Sequence, residues 1–271
     1  MKKLCIYHGN CTDGFGAAWV VRKALGDTVE FHPGVYQEAP PDVAGREVIM
    51  VDFSYKRPEI IKMAAKAKSI LILDHHKSAQ GDLVDLPDNV TAFFDMGRSG
   101  AVIAWDHFFP HLAAPYLLQI IQDRDLWRFE FPETKAVQAA LFSYPYDFEV
   151  WDDLVKAGPD LEDEGEAIMR KQMKDIQEMI DSGFVQRATI CGHDVPVLNC
   201  PYFYVSEAGH ILAEGEDFAA CYWDIEGYRV FGLRSKEDGV DVSEIASQYG
   251  GGGHKHAAGF KVPIPNGHAL L

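Results

Sequence analysis

Long hydrophobic runs are missing from this chain of 271 residues. No apolar stretch approaches the roughly 18–20 residues that a membrane-spanning helix needs, so we expect no membrane partner. The first apolar run, Leu4–Tyr7, stops at His8. It is too short for the core of a signal peptide and predicts a first strand instead. These patterns favour a cytoplasmic protein.

Cysteine is scarce, and positive charge is outnumbered. The five cysteines are scattered and contain no CxxC pair, which argues against a disulfide framework or a thiolate zinc site and fits a reducing cytosol. Lys and Arg number 25 against 41 Asp and Glu, giving a formal net charge of −16. Such a chain repels a long polyphosphate backbone, so we expect no long nucleic acid as partner. Carboxylates also bind hard divalent cations, which would let a small phosphate ligand approach.

The first 130 residues alternate between short apolar runs and helical patterns. Continuous β-branched runs with helices between them predict a doubly wound, mainly parallel sheet that is covered on both faces. The predicted strands are Leu4–Tyr7, Thr28–Phe31, Glu47–Phe53, Ser69–Leu73 and Val90–Phe94.

The remainder of the chain is first mostly helical and then again rich in strands. Leu161–Ile180 is long, charged and free of Pro, which is typical of a connecting helix. Beyond it, Gly192-His193-Asp194 and Glu226-Gly227 are hairpin signals between apolar runs. We therefore predict a catalytic domain over 1–158, a helical linker over 159–184 and a smaller α/β domain over 185–271.

Residues that can bind metal ions follow three of the predicted strands. The strand Leu4–Tyr7 runs into His8 and then Asp13. The strand Glu47–Phe53 carries Asp52 near its end, and the strand Ser69–Leu73 runs into Asp74-His75-His76. Because the carboxyl ends of parallel strands share one edge, these residues should converge there. Asp123, just past an apolar helix, is a further candidate. Each residue alone is as well explained by a helix cap or turn, but the combination indicates a site for Mn²⁺, Mg²⁺ or Zn²⁺.

A second group of candidates lies near the C-terminus. Gly250–Gly253, of which Gly252 and Gly253 directly precede His254, can offer unhindered backbone N–H groups and an imidazole to a phosphate oxygen. Arg234-Ser235, at the end of a predicted strand, adds a bidentate phosphate donor. The alternatives are a flexible glycine loop and a solvated strand end.

With these motifs in place, the chain resembles the DHH/DHHA1 phosphoesterase superfamily. The triplet Asp74-His75-His76 matches the motif that gives the superfamily its name. Two segments match its C-terminal signature, namely Asp241–Ala246 and Gly250–Phe260. The resemblance covers essentially the whole chain and implies a DHH domain, a DHHA1 domain and a catalytic cleft between them. It also implies one or two divalent ions, usually Mn²⁺.

The resemblance also implies roles for single residues. The implied metal ligands are His8, Asp13, Asp52, His75 and Asp123. Asp52 would bridge two ions and would be catalytic together with His76 and Asp74. Arg234 and His254, with Ser235, Gly252 and Gly253 beside them, would bind a substrate phosphate.

One departure concerns the first motif. Many superfamily members carry His, three further residues and then Asp-x-Asp. Aligned on Asp13, the first of these carboxylates is replaced by Cys11, and His8 lies one residue closer than expected. The number and identity of the bound ions are therefore open at this stage.

The expected activity is hydrolysis of a phosphodiester by metal-activated water, with short oligonucleotides or linear or cyclic dinucleotides as substrates. Two alternatives remain: a phosphoanhydride hydrolase acting on pyrophosphate or polyphosphate, and an inactive module that binds nucleotides. The glycine-His ending argues against the first, and Cys11 is the only support for the second. The sequence leaves the physiological substrate, the cleavage polarity and the oligomeric state open, a homodimer included.

Overall fold

The computed structural model describes residues 3–182 and 184–264. The chain divides into two compact units between Arg170 and Lys171, which we call the first and the second unit. This point lies inside the predicted linker, whose residue 183 is outside the described residues; the predicted bounds of linker and domains stay a prediction. Within the described ranges, no helix is long and apolar enough to cross a membrane.

The first unit is built on a five-stranded sheet with the order β2-β1-β3-β4-β5, in which all neighbours are parallel. This confirms the predicted α/β fold class. Its elements are β1 Lys3–His8, α1 Thr12–Leu25, β2 Val29–Gly34, β3 Glu47–Val51, α2 Arg57–Ala64, β4 Ser69–Asp74, α3 Lys77–Asp82, β5 Val90–Phe94, α4 Gly100–Phe108, α5 Tyr116–Asp125, α6 Thr134–Leu141, α7 Phe148–Ala157 and α8 Leu161–Ser182, the last of which continues into the second unit.

The apolar strands of this sheet supply side chains to two separate cores. In β3, Val48 and Met50 belong to one core, while Ile49 and Val51 belong to the core on the other face. Successive strand residues point to opposite faces, so an uninterrupted apolar run is needed when both faces are covered. This is why the sequence pattern was informative here: full burial of each such side chain contributes about 1.5–3 kcal/mol.

The second unit contains a six-stranded sheet with the order β10-β11-β9-β8-β7-β6, in which β7 and β8 are parallel and the other neighbours antiparallel. Its further elements are β6 Gln186–Ile190, β7 His193–Asn199, α9 Val205–Leu212, β8 Ala219–Ile225, β9 Tyr228–Arg234, α10 Val242–Gln248, β10 Gly252–His254 and β11 Ala257–Pro263. A short 3₁₀ turn, Tyr202–Tyr204, leads directly into α9.

The first predicted hairpin turn is displaced along the chain. His193 already belongs to β7, so the turn consists of Cys191 and Gly192 rather than of Gly192-His193-Asp194. Both turn residues have positive φ, +50° and +88°, as a two-residue hairpin of the primed type requires. The second hairpin turns at Glu226-Gly227 as predicted.

Candidate metal centre and phosphate-binding residues

The carboxyl ends of β1, β3 and β4 bring the predicted His and Asp side chains together in the first unit. The His75 Nε2 atom lies 3.0 Å from Oδ1 of Asp52 and 3.6 Å from Oδ2 of Asp13. The His8 Nδ1 atom lies 3.4 Å from the other Asp52 oxygen. Asp13, Asp52 and His75 are each only 1% exposed. The parallel sheet has therefore assembled one buried cluster from residues that are far apart in sequence.

Asp13 is held by the beginning of a helix. It lies in the first turn of α1, and its two carboxylate oxygens accept hydrogen bonds from the backbone N–H groups of Gly100, at 2.6 Å, and Ala101, at 3.0 Å. These are the first residues of α4, where backbone donors lack partners within the helix. A carboxylate at this helix end is stabilised by the helix dipole as well.

Asp52 occupies a strained backbone position. Its φ is +53°, in the left-handed region that L-residues rarely adopt, although Asp tolerates it better than most. Gly100 packs against it so closely that a Cβ atom there would overlap the Cβ atom of Asp52. Such strain persists only where the surrounding structure enforces it and is concentrated at functional sites.

Asp74 forms hydrogen bonds with the two histidines that follow it. Its Oδ1 atom accepts hydrogen bonds from the His75 backbone N–H at 2.8 Å and lies 2.7 Å from Nδ1 of His76. Oδ2 accepts from the hydroxyl of Ser54 at 3.2 Å. Burial opposes ionisation of Asp74, but the charge and hydrogen bond of His76 outweigh it, so the pKa of Asp74 is lowered. The carboxylate is thus an acceptor, and Nδ1 of His76 is the donor.

Asp123 and Asp125, two residues apart, lie in different surroundings. The carboxylate of Asp123 accepts hydrogen bonds from the backbone N–H groups of Glu130 and Phe131 and, at 2.5 Å, from the Thr134 hydroxyl. Asp125, by contrast, places Oδ2 3.5 Å from Nε2 of His75. The predicted ligand Asp123 therefore organises a loop, and Asp125, which the sequence reasoning missed, lies beside the cluster.

The loop that Asp123 organises is also strained. Trp127 and Phe129 both have positive φ, +57° and +53°. Between them, the backbone N–H of Arg128 donates to the carbonyl of Asp123 at 2.9 Å. Asp123 and Asp125 both lie in the last turn of α5, where residues two positions apart do not share a face.

The charges of the cluster shift one another's pKa values. Burial, and then the charges of Asp52 and Asp125, raise the pKa of Asp13. Burial raises the pKa of Asp125 as well. Burial would also raise the pKa of Asp52, but hydrogen bonds from His75 and His8 outweigh it and lower the value well below the usual range. Burial would lower the pKa of His75, but Asp125 and Asp52 raise it. The side chains of Asp13, Asp52 and Asp125 thus surround the His75 imidazole.

The donor set fits divalent cations. The ligand atoms of Asp13, Asp52 and His75 lie within 4.8 Å of one another, and so do those of His8, Asp52 and His76. Asp52 belongs to both groups, which is the arrangement that a bridging ligand needs. Carboxylate and imidazole together suit Mn²⁺, Mg²⁺ or Zn²⁺. The positive charge of such an ion would relieve the repulsion among the carboxylates.

Cys11 lies at the same site. It immediately precedes α1, and its thiol is close enough to Asp52, Asp125 and Asp13 to be affected by them. Burial, together with these three carboxylates, raises the thiol pKa well above its usual value. A neutral thiol therefore stands where the resemblance implies a carboxylate.

In the second unit, the predicted phosphate-binding residues lie near the ends of neighbouring strands. The Arg234 guanidinium donates to the hydroxyl of Ser206 at 2.8 Å and to the carbonyl of Leu233 at 2.8 Å. Ser235 is only 1% exposed, and its hydroxyl donates to the carbonyl of Val240. Ser235 is therefore buried and donates within the fold, whereas the Arg234 side chain is partly exposed to solvent.

The glycine-His motif forms the edge strand β10. Gly252 and Gly253 pair with Gly259 and Ala258 of β11, and a Cβ atom at Gly253 would crowd the backbone of β11. His254 is opposite Ala257, which in turn is opposite Arg234 on β9. His254 and Arg234 are thus two strand spacings, about 10 Å, apart at the backbone.

The fold of this chain is similar to that of a solved DHH domain. A solved structure described as the DHH domain of a member of the s1p family of ribosomal proteins superposes with a TM-score of 0.60 and covers 95% of this chain and 82% of its own, at 13% identity. The Asp74-His75-His76 triplet lies at the carboxyl end of β4, beside the other clustered residues. At this level of identity the likeness shows the fold, and that fold is the fold of a DHH domain.

Two curated proteins are similar over most of the chain. The uncharacterized protein R106 of Acanthamoeba polyphaga mimivirus is 32% identical over 289 residues, which are 94% of this chain and 66% of R106. The oligoribonuclease NrnB of Bacillus subtilis is 25% identical over 306 residues, which are 95% of this chain and 72% of NrnB. This chain thus spans slightly less than two thirds of the length of R106. No family model matches the chain.

Proposed function

We propose that the chain is a metal-dependent phosphodiesterase that hydrolyses short oligonucleotides or dinucleotides. The observation that carries this proposal is the buried cluster in which Asp52 shares one ligand group with Asp13 and His75 and another with His8 and His76. Asp125 joins this set through its contact with His75. Asp123, a ligand by resemblance only, is in our proposal a structural residue.

The proposed cofactor is Mn²⁺, with one or two ions held by Asp13, Asp52, His75 and Asp125, and with His8 as a further donor. Bound divalent ions would supply Lewis acidity and neutralise negative charge on the phosphoryl group. Mg²⁺ has the same preference for carboxylates and is the closest alternative. The thiol of Cys11 is a softer donor than the carboxylate it replaces and belongs to the same proposed site.

His76 is the proposed residue for contact with the scissile phosphate. Asp74 fixes its ring by accepting from Nδ1, so Nε2 is the ring atom that can hold or donate a proton at a phosphate oxygen. The buried Asp74 is thus a positioning residue. In the second unit, Arg234 and His254 are the proposed side chains that bind another phosphate group of the substrate.

Short nucleotides are favoured over long polymers by charge. The chain carries a formal net charge of −16, which opposes the approach of the polyphosphate backbone of a long single strand. The similarity to NrnB, whose name describes an oligoribonuclease, supports the same substrate class. We therefore expect turnover to fall as RNA lengthens from two or three nucleotides to beyond about ten.

The decisive experiment is a metal-dependent activity assay. Purified protein is stripped with a chelator, metal removal is verified by elemental analysis, and Mn²⁺, Mg²⁺ or Zn²⁺ is then added back. The substrates are a linear dinucleotide, a cyclic dinucleotide, short RNA and polyphosphate. We expect activity on the dinucleotide or short RNA that disappears on stripping and returns best with Mn²⁺. Full activity in verified metal-free protein, or hydrolysis of polyphosphate alone, would contradict the proposal.

A further inference from the structure

Two large aromatic side chains of the second unit lie at its surface. Tyr202 is 51% exposed and Phe203 57% exposed, although each would gain from burial. Their ring centroids are 5.3 Å apart, with an interplanar angle of 79°. The ring of Trp223 on β8 lies 6.4 Å from that of Tyr202. Together, the three rings form a cluster that is open to solvent on one side.

The backbone that carries these rings is firmly attached. The next residue, Tyr204, donates its hydroxyl to Asp175 of α8 at 2.9 Å. Val205, only 4% exposed, follows and packs against Gly232 of β9 so tightly that a Cβ atom at Gly232 would overlap it. The backbone that follows Tyr202 and Phe203 is therefore held in place, and their side chains are exposed from a fixed turn.

The aromatic cluster is connected to the proposed phosphate ligand Arg234 through Ser206 and through the sheet. Ser206, which accepts the hydrogen bond from the Arg234 guanidinium, is three residues after Phe203. Three residues span at most about 11 Å. On β8 and β9, Trp223 pairs with Val230, and Gly232 and Arg234 follow at steps of two, on the face that carries α9. The Arg234 guanidinium and the aromatic cluster thus belong to the same face of the sheet.

We propose that Tyr202 and Phe203 form a binding site for a nucleobase of the substrate, beside the phosphate that Arg234 binds. The inference rests on the proposed function and names the substrate class more closely. Every nucleobase offers a flat π-face for stacking on an aromatic ring, whereas pyrophosphate and polyphosphate offer none. These rings would therefore select nucleotides over inorganic phosphates without reading a particular base.

The test measures binding without catalysis. A dinucleotide that contains the fluorescent base 2-aminopurine is titrated with the full chain in excess chelator, and quenching of the base reports stacking. We expect wild-type protein to quench the base. Tyr202→Ala and Phe203→Ala should each weaken binding about tenfold, which corresponds to about 1.4 kcal/mol, while Phe203→Trp should retain it.

The matched control is Tyr228→Ala. Tyr228 is 40% exposed on the same sheet but begins β9, whereas Arg234 ends it, so the two lie about 20 Å apart. This variant should bind the dinucleotide like wild type. Equal affinity of wild type, Tyr202→Ala and Phe203→Ala, or equal loss in the control, would overturn the inference.

The outcome is separable from that of the proposed function. If stacking is lost in both variants while the metal-loaded wild type hydrolyses nothing, the base site stands and the phosphodiesterase proposal fails. If wild type hydrolyses the dinucleotide but both variants keep wild-type quenching and KM, the base site fails alone. The KM for a nucleobase-free phosphodiester should be unchanged in both variants.

Discussion

The two units of the chain present their candidate functional residues in opposite ways. In the first unit, Asp13, Asp52 and His75 are each 1% exposed and are held by hydrogen bonds to the fold or to one another. In the second unit, Arg234 is partly exposed, and the neighbouring rings of Tyr202 and Phe203 are more than half exposed. Buried charges depend on every member of their cluster, whereas exposed groups contribute separately. Substitution of these three buried residues should therefore be close to all-or-none, and substitution of the exposed residues of the second unit should be graded.

The largest effect is expected from Asp52→Asn. Both carboxylate oxygens face imidazoles, at 3.0 Å from His75 and 3.4 Å from His8, and Asn removes the negative charge from both proposed ligand groups. Asn tolerates the left-handed backbone at this position, so the fold should persist. We expect dinucleotide turnover to fall more than about 100-fold, or about 2.7 kcal/mol in the barrier.

The matched control is Asp85→Asn, because Asp85 also has a positive φ, +49°, but is exposed and outside the cluster. It should retain wild-type turnover. A folded Asp52→Asn variant that keeps more than about a tenth of the wild-type activity would show that Asp52 does not bridge the proposed ions.

A comparison of Asp125→Asn with Asp123→Asn sharpens the assignment within the first unit. Asp125→Asn should reduce Mn²⁺-dependent turnover about 10- to 100-fold without lowering Tm, because the raised pKa of Asp125 shows that the fold disfavours its charge. Asp123→Asn should lower Tm, since an amide NH₂ would face the donors at Glu130, Phe131 and Thr134, at a cost of about 1–3 kcal/mol.

Calorimetry and metal titration of the two variants separate these roles. If Asp123→Asn keeps the wild-type Tm but loses metal affinity, and Asp125→Asn does the reverse, Asp123 is the ligand that the superfamily resemblance implies. Residual activity of Asp123→Asn should be measured well below its own Tm, so that unfolding does not imitate loss of a ligand.

The parallel sheet could be predicted because its strands are continuous apolar runs of strand length. The uninterrupted apolar runs of β1, β3 and β4 have no other economical explanation than burial on both faces, and their shared edge then brings His8, Asp52 and His75 together. The topology therefore predicts that these residues lie close together, but it does not predict the distances between them.

The remaining features depend on local geometry that spacing does not encode. The sequence Asp123-Arg124-Asp125 places two carboxylates in the last turn of α5, where they do not share a face, and only the packing of that helix decides which of them lies beside His75. Ser235 looked like a phosphate donor because it follows Arg234, yet alternation along the chain leaves it buried. Tyr202 and Phe203 gave no signal, since short aromatic runs are more often part of a core.

A moderate, graded effect is expected from Arg234→Ala in the second unit. Loss of one partly exposed guanidinium should raise KM for a dinucleotide about tenfold and change kcat little, as when ground-state and transition-state binding are lost together. Arg229→Ala is the control on the same strand. Arg229 lies near the opposite end of β9, and its guanidinium pairs with Asp224 of β8. Steady-state kinetics of both variants decide the point; a KM unchanged by Arg234→Ala would remove Arg234 from the proposed substrate site.

The smallest effect is expected from Cys11→Asp, which restores the carboxylate of the superfamily pattern. The thiol of Cys11 lies within the field of Asp13, Asp52 and Asp125, so a fourth carboxylate raises the repulsion when no cation is bound and strengthens the attraction for one. The variant should therefore have a lower Tm than wild type in chelator and a Mn²⁺ affinity that is a few-fold higher, with Cys11→Ala as the control for loss of the thiol alone. Isothermal titration with Mn²⁺ and thermal melts at matched metal concentrations measure both quantities. If Cys11→Asp and Cys11→Ala bind Mn²⁺ equally well, the side chain at position 11 only packs beside the cluster, and Asp13 is the first residue of the chain's α1 motif that belongs to the proposed metal site.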